Sequence, residues 1–167
     1  MKTLFLSIIA LATTSLASFA QTTLHDAYMS ISDIPGMKVK NDMTVQVNGK
    51  ADINSARTAT AKTDENADRL RNEFSEIIET LPDSEMLINT NDQHEFATVF
   101  AEPSDHNLYN VLILQGDAIT GVFSATYGTT TADGVKAISS YDPAIDGNDL
   151  VLTPMSTTSG HFITMSE

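Results

Sequence analysis

Between Met86 and Tyr127, four strand-like runs follow one another with connections too short for anything but hairpins. Met86 to Asn89 leads through Thr90-Asn91-Asp92 into His94 to Ala101. Glu102 to Asn107, with Pro103, Ser104 and Asp105, turns the chain into Leu108 to Gln115, and Gly116-Asp117 turns it again into Ala118 to Tyr127. A parallel pair needs a crossover of about a dozen residues or more, so these runs predict an antiparallel meander. Val111-Leu112-Ile113-Leu114 is apolar in both alternations, which marks a central strand with neither face well exposed. In the last run Ile119, Phe123 and Tyr127 share one side, and Thr120, Ser124 and Thr126 the other.

Something must cover a face of that sheet. The preceding segment carries Ala67, Leu70, Phe74, Ile77, Ile78 and Leu81 at three- and four-residue spacing, one apolar stripe on a helix over 64–81. Thr63 can cap it, Asp64 and Glu65 suit its positive end, and Pro82 stops it. A short helix is also expected around Leu24, Ala27, Tyr28 and Ile31, ending at Asp33-Ile34-Pro35-Gly36. Met37 to Lys40 and Met43 to Val47 alternate as strands, predicting a hairpin or bent strand around Asn41-Asp42. Asn48 to Thr63 is small and polar with no sustained period, which reads as a loop, with a marginal helix as the alternative. After the meander, Gly128 to Thr131 can cap a short helix with Val135 and Ile138 inward; Gly134 costs that helix about 1 kcal/mol relative to Ala. Leu150-Val151-Leu152 and His161 to Met165 can form a closing hairpin around Ser156 to Gly160. The expected fold is therefore α+β, an antiparallel β-meander sheet with helices packed on one face.

The first twenty residues stand apart. Met1-Lys2-Thr3 is a positive start, Leu4 to Leu16 is apolar, and Ser18-Phe19-Ala20 places small residues where a signal peptidase reads. The apolar run falls short of the roughly 20 residues that a membrane span requires. Residues 1–20 thus read as a signal peptide cleaved near Ala20, and 21–167 as one α+β domain in the periplasm or outside the cell. No cysteine is present, which excludes disulfides, a cysteine-held zinc, a cysteine nucleophile and a lipid anchor on cysteine. The net charge is −13, and loss of Lys2 would make it −14. Such a field repels phosphate backbones and anionic headgroups, so nucleic acid is not an expected partner.

The stretch from Leu70 to about Ser139 resembles a family of small secreted proteins and lipoproteins of Bacteroidetes, domain of unknown function family 4252. The resemblance rests on an amphipathic helix, then "EMLINTNDQHEFATVFAEPSDHNLYNVLILQGDAITGVFSATYGTT", then the short helix "ADGVKAIS". "YMSISDIPGMKVKNDMTVQV" is similar to the family's opening, a short helix running into a strand. Residues 48–62 are more polar than the family's pattern, and 141–167 extend past its usual end. The resemblance implies an exported α+β domain and assigns no catalytic residue.

Candidate chemistry is sparse. His25, His94, His106 and His161 stand at no metal-ligand spacing, and no HExxH helix exists. Ser124 and Ser159 lack the flanking glycines of a nucleophile elbow. Asp142 to Asp149 offers oxygens to calcium, but its spacing departs from an EF-hand loop and suits a solvated turn better. Glu73, Glu76 and Glu79 read as the wet face of their helix. No catalytic, cofactor-binding or metal residue is therefore assigned. The expectation is a non-enzymatic binding or interaction module of the cell envelope, meeting an envelope protein or ligand at sheet edges and the 48–62 segment. The alternative is a small hydrolase whose site, drawing on residues such as His94, His106, Glu73 and Asp105, assembles only in three dimensions.

Overall fold

The structure is a computed structural model that describes residues 22–142 and 150–155. The elements run α1 (Leu24–Ser32), β1 (Lys38–Val47), β2 (Ala51–Lys62), α2 (Ala67–Ile78), β3 (Met86–Asn91), β4 (Glu95–Pro103), β5 (Leu108–Asp117), β6 (Val122–Thr131), α3 (Ala132–Ser139) and β7 (Leu152–Met155). All described strands join one antiparallel sheet in the order β3-β4-β5-β6-β2-β1-β7. The meander is β3 to β6, and β5 lies inside it with Val111 to Leu114 fully buried, as their double apolarity predicts. The turn into β6 comes later than the sequence suggests. It occupies Ala118–Gly121, so Ile119 is 72% exposed instead of sharing a face with Phe123 and Tyr127.

The larger difference is Asn48 to Thr63. It is no loop: β2 fills most of it and lies between β6 and β1, well inside the sheet. Its alternation is hidden by a bulge. Ile53 and Ala56 share one face and Ala59 and Ala61 the other, because the ladder slips between Asn54 and Arg57, where Ser55 takes a φ of 50°. β1 carries a matching irregularity between Lys40 and Met43, with Asp42 at φ 55°. Lys38–Val47 is thus one bent strand and not a hairpin. The buried side chains of β2 are mostly alanines, so the burial leaves only a weak hydropathy signal.

α1 and α2 lie on the first face. Their Leu24, Tyr28, Ile31, Leu70 and Phe74 pack on Ala59, Ala61, Phe96, Leu112, Leu114 and Phe123. Phe74 is fully buried, 5.7 Å by ring centroid from both Phe96 and Phe123, and Tyr28 stacks on Tyr127 at 5.8 Å. Gly116 lies beneath that aromatic group: a Cβ there would stand 2.3 Å from Phe96 Cε1. The stripe expected on 64–81 is the stripe that packs, although the helix begins at Ala67 and Thr63 accepts only from the Asn66 amide in the preceding turn. The Arg71 guanidinium stacks 5.8 Å over Phe96 and donates to Asn91 Oδ1 at 2.8 Å, tying α2 to the end of β3.

The expected helix-covered face is therefore present, and the third helix lies on the other. α3 starts where Thr131 Oγ1 accepts from the Gly134 amide at 3.1 Å, and its Ile138 packs with Val45, Ile53, Val99, Val111 and Ile113. Leu150 joins this second core, and β7 pairs with the Thr44 to Val47 half of β1. Leu152 thus ends on β1, whereas His161 to Met165, its expected hairpin partner, lies outside the described residues. No helix among the described residues is long and apolar enough to cross a membrane.

Candidate functional site

The second face changes character halfway along its strands. Near α3 it is built of Val47, Val45, Ile53, Val111, Ile113 and Val99. Past that level the same alternation continues with Thr58 and Thr60 on β2, Gln115 and Asp117 on β5, and Ser124 and Thr126 on β6. None of α1, α2 and α3 covers this half, because α3 ends over the apolar half. Two cavities lie on this half. One, of about 680 Å³, has Thr90, Glu95, Ala97, Asp117 and Val122 among its walls; the other, of about 340 Å³, has Lys40, Met43, Thr58, Thr60, Leu152 and Pro154. Gln115 and Ser124 line both, so the two form one groove across the sheet.

Its parts are held in place. Gln115 Nε2 donates to the Leu150 carbonyl at 2.8 Å, and the Thr58 and Thr126 hydroxyls share a 3.3 Å hydrogen bond on the floor. At the β3–β4 turn, Asp92 Oδ1 accepts from the His94 and Glu95 amides, each at 2.7 Å. Those backbone donors hold its carboxyl below the usual carboxylate range. Asp117 is lowered likewise, first by the Thr120 hydroxyl at 2.6 Å and further by the Ile119 and Thr120 amides. Both carboxylates therefore shape turns as they border the groove.

The residues singled out from sequence do not converge. His25 packs at a tilt against Tyr127 on the first face, whereas His94 and His106 flank opposite ends of β4. His106 and Asn107 both adopt left-handed φ, near 60°, in the β4–β5 turn, which also holds Asp105. Glu73 is on α2, within 3.6 Å of Arg69. Neither cavity of the groove is lined by His94, His106, Glu73 or Asp105. Ser124, set aside as a nucleophile for want of an elbow's glycines and placed on the polar side of its strand, lines both cavities of the groove. His161, Ser159 and residues 143–149 of the acidic loop lie outside the described residues. Among the described residues no group of three or more His, Asp or Glu could hold a metal ion. The groove was not legible in sequence because its lining is drawn from separate strands, among them Thr58 and Thr60 of β2, whose alternation the bulge conceals.

No protein-family model, no curated protein and no solved structure matches this chain.

Proposed function

We propose that the chain is an exported, non-enzymatic binding module of the bacterial cell envelope, and that its contact surface is the groove on the second face. The observation that carries this reading is the polar stretch made by Thr58 and Thr60 on β2, Thr126 and Ser124 on β6 and Gln115 on β5, beyond the Val and Ile of the second core, where two cavities share Gln115 and Ser124. A sheet face that merely meets water has no need of a concave, hydroxyl-lined floor of this size, and ligand sites typically occupy about 300–1,000 Å³. Export rests on the tripartite pattern of residues 1–20 and on the resemblance to the Bacteroidetes family. The 48–62 segment drops out as a contact loop, since β2 is structural.

Affinity capture from the envelope of the producing organism tests the reading. Mature wild-type protein should retain a specific envelope component. Ser124→Trp, which fills the junction of the two cavities, should lose it while keeping the wild-type circular dichroism and melting temperature. Capture that survives in Ser124→Trp would move the contact surface elsewhere, and no specific component at all would overturn the module reading. N-terminal sequencing of the exported protein should begin at Gln21.

A further inference from the structure

The groove is not electrically uniform, although the chain as a whole is strongly acidic. The ladder sets Lys38 opposite Thr60, Lys40 opposite Thr58, and Lys62 opposite Val122, beside the Thr60–Ser124 pair. Residues opposite one another in an antiparallel pair share a face, and every second residue of a strand returns to it. Thr58 and Ser124 line the 340 Å³ cavity, so Lys38, Lys40 and Lys62 all belong to that same second face. The Asp42 bulge is what keeps Lys40 and Met43 on one side despite their odd separation. Of the eight cations left after residues 1–20 are removed, three thus share this end of the face: Lys40 lines the cavity, Lys38 is the next β1 residue on that side, and Lys62 is diagonal to Lys38. All three are exposed, and none has an ion-pair partner among the described residues.

Lysines on an edge strand also discourage edge-to-edge pairing. That accounts for Lys38 and Lys40, on the part of β1 that β7 leaves uncovered. It bears less on Lys62, the last residue of β2, which is paired with Val122 on β6 and lies one step past the Lys38–Thr60 pair that ends the β1 ladder. Like charges placed together repel, so their grouping calls for an anion. The wall beside them is apolar, from Met43, Val45, Leu152 and Pro154, and the floor offers the hydroxyls of Thr58, Thr60 and Ser124. From this juxtaposition we infer that the 340 Å³ end of the groove binds a small organic anion, its apolar body against Met43 and Leu152 and its carboxylate or phosphate head among Lys38, Lys40 and Lys62. Lysine ammonium groups serve either head as point charges. The inference rests on the binding-module reading and adds the ligand's chemistry to it.

Three probes of one chain length, decanoate, decyl phosphate and decyltrimethylammonium, below their micelle concentrations, test it on the mature chain by amide chemical shifts and calorimetry. Either anion should shift Thr58, Thr60 and Ser124, bind more weakly as salt rises, and exceed the cation in affinity; which anion binds tighter identifies the head group. The triple variant Lys38→Gln/Lys40→Gln/Lys62→Gln should weaken anion binding about tenfold. A control with the same change in net charge, Lys50→Gln/Arg69→Gln/Lys136→Gln, should leave it within about twofold. Equal loss in both triple variants, or a cation that binds as tightly as the anions at the same amides, would overturn the anion assignment and leave the binding module standing. The module itself falls only if envelope capture retains no specific component.

Discussion

Asp42 and Ser55, on neighbouring strands, each insert one extra residue into the β1–β2 ladder, and the two insertions cancel. The partners Lys38 and Thr60 pair in the same register as Val45 and Ile53, with Met43 and Ala56 displaced by one between them. Both residues hold left-handed φ, 55° and 50°, where a side chain is strained. Ser55→Gly should therefore stabilise the protein by about 0.5–1 kcal/mol, less than the full relief because glycine also loosens the unfolded chain. Deleting Ser55 should instead turn Ile53 and the residues before it to the wrong face and abolish cooperative unfolding. Urea titration followed by circular dichroism measures both.

Two glycines should resist replacement, for reasons of space. At Gly116 an added Cβ would stand 2.3 Å from Phe96 and 2.5 Å from Phe123, inside the aromatic core. Gly116→Ala should cost about 1–3 kcal/mol by overpacking. At Gly134, helix propensity alone argues that Ala would gain about 1 kcal/mol. The added Cβ would stand 2.1 Å from Thr130 Oγ1, which donates to the Asp52 carbonyl at 2.8 Å, so the packing loss should win and Gly134→Ala should lower the melting temperature.

Burial raises the Tyr28 hydroxyl pKa, and that hydroxyl has no hydrogen-bond partner among the described residues. Tyr28→Phe keeps the stack on Tyr127 and removes a buried unsatisfied group. It should be neutral or stabilising by up to about 1 kcal/mol in the same urea titration, whereas Tyr28→Ala should cost about 3–5 kcal/mol.

Acid should act through the two turns that border the groove. Asp92 and Asp117 have lowered folded pKa values, so what they contribute is present above their unfolded pKa, about 3.9, and lost as pH falls through the folded values. Asp92→Asn and Asp117→Asn should each flatten the fall in melting temperature below about pH 4. Glu85 has the opposite sign: burial first and Glu102 second raise its pKa, so its ionisation opposes folding as pH rises. Glu85→Gln should raise the melting temperature slightly at pH 7, and the gain should vanish in acid, below the ordinary glutamate pKa of about 4.3.

What the chain alone determined is the part written in strong local periodicity. The stripe of Leu70, Phe74, Ile77 and Ile78, the doubly apolar Val111 to Leu114 and the short turns among them left an antiparallel meander under a helix as the consistent reading. The short helices at Leu24 and Ala132 were equally local, set by apolar spacing and by Thr131 as a cap. Tertiary structure decided the rest. β2 exists because β6 and β1 satisfy its backbone on both sides while helices press close over alanines, and neither fact leaves a hydrophobic alternation. The groove is a property of register: Lys38, Lys40 and Lys62 lie up to 24 positions apart in the chain and come to the second face because each of the two strands carries a bulge. A side chain's face follows from a count of residues modulo two, and a single left-handed residue, invisible to composition, resets that count.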